Sequence, residues 1–243
     1  MILNYTFKLD TTDVNQNMSS NFHGFLMSVL NKETASILHN YRYNPLRQRI
    51  FKENNEWFWN VVSLEKVLSE ELEILLDALN FINLTHSNKT IKILEKSKQV
   101  INLSDFVKQA MNLEEEIKRY IHLEFISPTS FKSEKEHEIF PNIRKIIRSI
   151  MLNFDYFSEH TKIYDYEVLE YITENIKIVD YSLYSTKFGL EAIKIPAFKG
   201  KVTMKISLNP QMLKLVNLMF KFSELSGVGV KTSLGMGAIR LKI

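Results

Sequence analysis

The chain has 243 residues, 45% of them hydrophobic and 12% aromatic, which suffices for one large or two small domains and excludes wholesale disorder. It contains no cysteine, which excludes a disulfide framework and a zinc–thiolate site, and its net charge of +3 is too small to identify a partner. No segment approaches the roughly 20 apolar residues of a membrane helix, and the first residues lack the pattern of a signal peptide, so we expect a cytoplasmic protein without membrane contact.

The first half of the chain alternates strand and helix patterns. Its alternating N-terminus predicts a strand over residues 1–10, and Ser19 or Ser20 can cap a helix that runs to about residue 39. A loop and a short strand within 41–52 and a strand at 56–62 come next. They precede a helix at about 64–80 and one or two strands within 90–103. The order βαββαβ is typical of a ferredoxin-like unit.

The second half repeats this order with one inserted helix. A polar, acidic segment at 104–116, which ends in Glu114-Glu115-Glu116, is a candidate linker or surface helix. The elements predicted after it are a strand at 117–126, helices at 141–158 and 165–175, strands near 177–188 and 199–208, a helix at 209–223 and a strand at 238–243. We therefore predict an α+β fold of two tandem ferredoxin-like (RRM-like) βαββαβ domains, residues 1–110 and 117–243.

Basic residues are concentrated at the C-terminal end. Residues 192–243 contain nine lysines and arginines and one acid, Glu224, whereas the preceding part of the chain has an excess of acids. A basic block of this size favours a polyanionic partner such as nucleic acid. A solvated lysine face is the alternative.

Four of the seven glycines of the chain fall within eleven residues, at Gly227, Gly229, Gly235 and Gly237. Glycine tolerates positive φ, and successive exposed N–H groups in such a turn form a concavity that suits an anion. The side chains of Lys231, Thr232 and Ser233 add donors, so the segment predicts contact with phosphate, with a plain glycine-rich hairpin as the alternative. A mononucleotide P-loop is excluded because Val230 takes the required glycine position, and a dinucleotide motif is excluded because no helix follows.

The pattern G-x-G-x-K-T-S-x-G-x-G resembles the glycine-rich signature of the CRISPR-associated endoribonucleases that cut precursor guide RNA at its repeats, members of the RAMP superfamily. The resemblance extends more loosely through residues 128–132 and 198–200 and through an N-terminal helix that ends in Leu38-His39. It implies two ferredoxin-like domains that face each other across a cleft. It also implies CRISPR repeat RNA or precursor crRNA as the partner, with an effector complex as a further partner and no cofactor.

The activity that the resemblance implies is metal-independent cleavage of RNA, in which the 2′-OH attacks the adjacent phosphate and leaves a 2′,3′-cyclic phosphate and a 5′-OH. This reaction uses a base, an acid and cations around the phosphate, and histidine suits the proton transfers. The resemblance makes His39 the catalytic histidine, although a helix-terminal histidine is more often a cap. His23 is the main competitor, His122 could face a groove, and the predicted surface histidines are His86, His137 and His160.

Other members of the family pair the histidine with a tyrosine in the first helix and a nearby lysine. No tyrosine occurs between residues 6 and 40 here, so Tyr41 or Tyr43 are the candidates, unless orientation of the 2′-OH makes a base dispensable. The residues predicted to hold the scissile phosphate are Lys52, Arg47 and Arg49, with backbone contact or solvent exposure as the alternatives.

Further cations could track a duplex backbone. Arg144, Lys145 and Arg148 lie near one face of the helix that begins at Pro141, and Lys132 can reach the same side. Such contacts position RNA and make binding salt-dependent without reading bases.

Two rival functions fit the same features. One is a non-catalytic RAMP-type subunit that caps guide RNA in an effector complex, and the other is a ferredoxin-like protein–protein module with a basic surface. The aromatic run Trp57, Phe58 and Trp59 would suit stacking on unpaired bases, with core packing the alternative for at least two of them. No spacing of His, Asp and Glu predicts a metal site, and both a monomer and a homodimer remain open.

Overall fold

Two antiparallel sheets follow one another along the chain, and helices cover one face of each. The structure, a computed structural model, describes residues 1–112, 118–190 and 193–242, without the side chains of His86 and Asn112.

The first unit has a sheet in the order β2-β3-β1-β5-β4. Alternate side chains of β1, among them Tyr5 and Phe7, are buried beneath α1 and α3, as the period of a half-buried strand requires. The elements are β1 Ile2–Asp10, α1 Ser19–Val29, α2 Lys32–Leu38, β2 Leu46–Glu53, β3 Glu56–Ser63, α3 Lys66–Ala78, β4 Phe81–Leu84 and β5 Lys89–Ile101.

The second unit has a sheet in the order β11-β6-β10-β9. In the first unit β5 lies beside β1 and β2 lies at the far edge; in the second unit β11 lies beside β6 and β9 lies at the far edge. This is the ferredoxin-like order, and the predicted tandem fold is confirmed. The elements are α4 Leu103–Asn112, β6 Tyr120–Thr129, β7 Phe131–Ser133, β8 Glu136–Glu138, α5 Ile143–Phe157, α6 Tyr166–Glu174, β9 Ile176–Leu190, β10 Ile193–Ile206, α7 Pro210–Ser226 and β11 Ile239–Lys242.

The helix predicted from Ser19 to residue 39 is interrupted. Leu30 adopts an extended conformation with ψ of 154°, and the side chain of Asn31 accepts the backbone N–H of Glu33 at 3.0 Å, which caps a second helix. The backbone N–H of Asn31 also donates to the carboxylate of Glu71 on α3, at 2.6 Å. Asparagine favours such caps over helix interiors, so α1 ends and α2 restarts in a new direction.

The segment between the two units is a helix over most of its described part. Phe106 and Val107 of α4 pack against the core of the second unit. Residues 113–117, which include the three glutamates, lie outside the described residues. The division into domains 1–110 and 117–243 therefore stays a prediction.

The face of each sheet that carries no helix is polar, and the two polar faces meet. On β10, Val202 and Met204 are buried in the core, whereas Lys201 and Thr203 point the other way, as the alternation predicts. Residues from both units line a cleft of about 780 Å³ between them, hereafter the central cleft.

A buried arginine joins the two units. The guanidinium of Arg47, on β2, donates from Nε to the carbonyl of Ser226 at the end of α7, at 2.6 Å, and from an Nη to Asn153 Oδ1 in the C-terminal half of α5, also at 2.6 Å. It also donates to the carbonyls of Asn44 and Leu46 in its own unit. Burial and the charge of Arg49 lower the pKa of Arg47 to about 9, which keeps it charged at neutral pH.

We expect Arg47→Ala to destabilise the whole chain by about 3 kcal/mol, because it leaves buried carbonyl and amide oxygens of both units without donors. Arg47→Lys should recover little, since one ammonium cannot replace the fork of the guanidinium. The measurement is the midpoint of urea unfolding. Arg42→Ala is the matched control, since Arg42 is exposed and rests on the ring of Tyr43. Equal midpoints for the Arg47 and Arg42 variants would contradict the bridging role.

Candidate active site and nucleic-acid interface

The glycine loop, residues 227–237, connects α7 to β11 and is tied to its surroundings through its backbone. The N–H of Val228 donates to the carbonyl of Gly237 at 2.9 Å, and the N–H of Gly237 donates to Pro128 at 3.0 Å. The N–H of Val230 donates to the carbonyl of Ser130, and the N–H of Gly229 donates to the hydroxyl of Ser149 on α5. These four backbone N–H groups bond to oxygens of the protein, so fewer of them are available to an anion than the sequence predicted.

The part of the loop that reaches solvent is its tip. Lys231 is exposed, and Thr232 and Ser233 are partly exposed on a short 3-10 turn. Lys231 has φ of +57°, a left-handed conformation that costs a non-glycine residue about 1 kcal/mol and is typical of ligand-binding loops. Gly227, Gly235 and Gly237 are buried, and Gly229 is partly so. The methyl group of Thr232 lies against Gly227 and Gly237 inside the loop, whereas Lys231 is exposed.

Gly235 brings the loop onto the start of α1. Its φ is +108°, and a side chain at this position would overlap Ser19. The carbonyl of Ser19 accepts a hydrogen bond from Gln48 Nε2 at 2.9 Å, and Gln48 in turn accepts the indole N–H of the buried Trp59 at 3.1 Å. The loop, α1 and β2 therefore meet at one closely packed point.

Helices α1 and α2 carry the two histidine candidates. His23 is four residues after Ser19, so both occupy the same face of α1. His39 is exposed at the C-terminal cap of α2. Burial lowers the pKa of His23 to about 4, with the charge of His39 adding to the effect, so His23 is neutral at pH 7. The structure thus brings the predicted loop next to the helix that carries His23, and His39 contributes to the electrostatic environment of His23.

The other predicted catalytic residues are divided between two places. Tyr41 lies near the end of α2 and packs against the first core; burial raises its pKa, with the nearby Glu65 and Tyr156 adding to the effect. Lys52 lies at the far end of β2. Asn44 Nδ2 donates to the carbonyl of Leu38, which places the beginning of β2 near His39. A strand rises about 3.3 Å per residue, so Lys52 is about 20 Å further on.

The predicted pairing of Lys52 with His39 at one phosphate therefore has no support in the geometry. Lys52 lines the central cleft instead, with Nζ 6.0 Å from the centre of the Trp57 ring. The prediction rested on closeness in sequence, which an extended strand turns into distance.

Arg47 and Arg49 are not presented to a ligand either. Arg47 is 3% exposed and Arg49 is 9% exposed, and Arg49 donates from Nη2 to the carbonyl of Glu224 at 2.7 Å. Both belong to the face of β2 that the second unit covers, so we replace their predicted phosphate role with a structural one. The structure shows neither of the alternatives that the sequence left open, since both guanidinium groups are buried and donate to oxygens of the protein itself.

The cations of α5 lie beside the loop and differ in availability. Arg144 pairs with Glu170 and Lys145 pairs with Glu138, each at 2.5 Å. Arg148 and Lys132 are exposed, and within the described ranges neither side chain has an ion pair. Because Ser149 on the same helix accepts the N–H of Gly229, these cations continue the surface of the loop tip.

A second basic surface was only partly predicted. Six cations line the central cleft, several of them from the basic C-terminal block: Lys52, Lys187, Lys199, Lys201, Arg240 and Lys242. Lys199 Nζ donates to Gln16 Oε1 at 2.7 Å, and burial lowers its pKa. Arg240 pairs with Glu53 at 2.6 Å, and Lys242 pairs with Glu124 at 3.0 Å. Alternation along β10 is the signal that places Lys199 and Lys201 near the cleft.

The predicted aromatic run divides between core and surface. Trp59 is fully buried, Phe58 stacks on Phe51 with ring centres 5.4 Å apart, and Trp57 lines the central cleft. Of the remaining histidines, His122 bonds Thr203 through Nδ1 at 3.0 Å, and His137 bonds the hydroxyl of Ser130 at 3.1 Å. His137 lies on β8 of the β7–β8 hairpin and is partly buried. The prediction that it is a surface residue is therefore only partly right.

No helix in the described ranges is long and apolar enough to cross a membrane. In the same ranges, no three His, Asp or Glu side chains are grouped so that they could hold a metal ion.

Comparison with known proteins assigns the family. The profile described as "CRISPR-associated endoribonuclease Cas6" matches residues 123–239. A CRISPR-associated endoribonuclease Cas6 from Streptococcus thermophilus is 32% identical over 232 residues, which are 93% of this chain and 92% of the relative. A solved Cas6 product complex superposes with a TM-score of 0.80 at 19% identity, over 100% of both chains. Thermus thermophilus Cas6 gives a TM-score of 0.74 at 16% identity, over 100% of this chain and 98% of that one.

The two solved structures support the fold, and the Streptococcus relative, similar over nearly its full length, supports the family. Together with the glycine loop and the tandem sheets, they show that the chain belongs to the CRISPR-associated endoribonuclease Cas6 family.

Proposed function

We propose that this chain is a cytoplasmic, metal-independent endoribonuclease that binds CRISPR repeat RNA and cleaves precursor crRNA within the repeat. The observation that supports the proposal is the packing of the glycine loop on the start of α1, because the polar tip of that loop and the candidate base His23 belong to these two contacting segments. The 2′-oxygen attacks the phosphorus and the bond to the 5′-oxygen breaks, which leaves a 2′,3′-cyclic phosphate and a 5′-OH.

His39 is the acid in this proposal. Its ring is exposed at the end of α2, where it can reach the leaving 5′-oxygen and donate a proton to it. Lys231, Thr232 and Ser233 at the loop tip supply donors to the phosphate as negative charge builds on its oxygens. Cations on the adjacent face of α5, Arg148 foremost, hold the flanking backbone.

His23 is the candidate base. Its low pKa belongs to the protein without RNA, where burial and the charge of His39 both oppose protonation. A phosphate between the two rings favours the charged form of both, so bound RNA raises the proton affinity of His23 toward the value that a base needs. Tyr41 keeps its phenol protonated and serves as a hydrogen-bond donor in the same region.

We expect His39→Ala to lower the single-turnover rate of repeat cleavage by about 10²–10⁴-fold while RNA affinity is retained. The assay uses repeat RNA in EDTA, beside the same RNA with one 2′-deoxy nucleotide at the scissile position, which should not be cut. His160→Ala is the control, since that histidine is exposed and its one ion pair is with the neighbouring Glu159.

Three outcomes would count against parts of the proposal. Cleavage that EDTA abolishes would remove metal independence, and normal cleavage by His39→Ala would remove the acid. Tight binding of the RNA without cleavage by the wild type would favour the non-catalytic RNA-binding alternative.

We expect Lys231→Ala to weaken binding of repeat RNA and to reduce the slope of log affinity against log salt by about 1, because one phosphate contact is lost. The measurement is fluorescence anisotropy over a salt series with uncleavable 2′-deoxy RNA. Lys66→Ala is the matched control, since Lys66 is an exposed lysine on α3 that pairs with Glu70. Identical slopes for the Lys231 variant and the wild type would remove Lys231 from the interface.

The low pKa of His23 predicts a pH-dependent stability. The folded pKa of about 4 lies below the unfolded value of about 6.5, so the unfolded chain binds the proton first as pH falls. Stability is unaffected by this group above pH 6.5, falls between about 6.5 and 4 by up to about 3 kcal/mol, and changes no further below pH 4. The measurement is urea unfolding at pH 7 and pH 4.5.

His23→Gln should lose less stability than the wild type over this interval, whereas His160→Gln should lose the same amount. Because carboxylates also titrate in this range, the comparison uses the difference between variant and wild type. Parallel losses for all three proteins would show that His23 is not buried as the structure places it.

A further inference from the structure

We propose that the contact between Ser19 and Gly235 sets the distance from the phosphate-binding tip to His23, so that Ser19 is a positioning residue for cleavage. The inference deepens the proposed function and rests on it. It arises from one place in the molecule where two segments approach too closely to admit a further methyl group.

The contact is tight on both sides. A side chain at position 235 would overlap Cβ and Oγ of Ser19, and Gly235 also has φ of +108°, which only glycine adopts readily. Ser19 is 1% exposed, so it has no solvent to turn toward. A larger side chain at position 19 therefore has to displace the loop, α1 or both.

The role of Ser19 does not depend on a hydrogen bond from its hydroxyl. Among the described residues, Ser19 Oγ is buried and has no partner. A buried, unpaired hydroxyl is unfavourable by itself. What the residue contributes is small volume at the contact, which predicts that alanine can replace it and that larger side chains cannot.

The backbone around Ser19 cannot absorb a displacement easily. Its carbonyl is held by Gln48 Nε2 at 2.9 Å, and Gln48 is fixed by the indole of Trp59 in the first core. His23 lies one turn further along α1, about 6 Å along the helix axis. The contact point and His23 thus belong to one rigid segment.

On the other side, the loop transmits a displacement to its tip. The N–H of Leu234 and the N–H of Met236 both donate to the carbonyl of Lys231, at 3.0 and 3.2 Å, so residues 231–236 form one closed turn. Met236 is 1% exposed and packs with Phe188 and Ile195, which prevents the turn from yielding on that side. Pressure on Gly235 therefore moves Lys231 relative to His23.

A displacement of about 1 Å in a reacting geometry can cost about 10²-fold in rate. We expect Ser19→Val to lower the single-turnover cleavage rate by about that factor, Ser19→Thr to lie between Val and the wild type, and Ser19→Ala to cut at the wild-type rate. The affinity for uncleavable 2′-deoxy repeat RNA should stay at the wild-type value throughout, because the contacts that hold the RNA remain. A purely structural role would change stability and affinity together with the rate.

The matched control is Ser28→Val, the same substitution at an exposed position near the other end of α1, where the hydroxyl bonds only the carbonyl of Phe25. Thermal midpoints are measured for every variant, and Ser19→Thr supplies the test if Ser19→Val does not fold. Equal rates for the Ala, Thr and Val variants would overturn the inference, as would a rate loss matched by an equal loss of affinity. If the wild type itself does not cleave, the proposed function fails and the positioning role fails with it; if only the wild type and Ser19→Ala cut fast, both stand.

Discussion

The buried guanidinium of Arg47 is the interaction on which the arrangement of this molecule depends. It donates four hydrogen bonds to oxygens of both units, and one of these oxygens is the carbonyl of Ser226, the residue directly before the glycine loop. An isolated buried charge is strongly unfavourable, so the two units are held in the one geometry that satisfies it. The loop and β2 are thereby fixed to each other, and the loop in turn packs on the start of α1, the helix that carries His23.

Strand β2, which carries Arg47, makes contacts with both units of the molecule. Gln48, on its helix-covered face, supports the start of α1, whereas Arg47 and Arg49, on the opposite face, contact the second unit. One strand with period-2 alternation thus serves two cores at once. The candidate active site is assembled at the end of that strand nearest α2, and the central cleft lies toward its other end.

The repeated order of strands and helices could be predicted from the sequence because the long elements carry clear periods of 2 and 3.6 residues. The short strands β4, β7 and β8 were missed, since three or four residues carry too little periodicity to be recognised. The break at Asn31 was missed because an apolar helical pattern continues on both sides of it. Asparagine at that point signals a cap only once the carboxylate of Glu71 is known to be near.

Features of the candidate site that depend on a local sequence motif could be predicted. The prediction failed for features that depend on the packing of distant parts of the chain. The glycine loop and the helix-terminal histidine are visible as a motif. The placement of Arg47 and Arg49 was wrong for the opposite reason: alternation tells that two side chains share a face, but not that a second unit covers it. The role of the loop glycines was also hidden, because the close approach of Gly235 to Ser19 joins residues that are far apart in the chain.

The closed backbone of the loop has a consequence for association with a ligand. Ordering a flexible segment on binding costs about 1–2 kcal/mol per residue in backbone entropy, which is subtracted from the affinity. Here most of that ordering has already been done during folding, by the hydrogen bonds from Val228, Gly229, Val230 and Gly237 to the surrounding protein. A ligand of the loop would therefore meet a backbone that is already ordered, and little of this cost would be subtracted from its affinity.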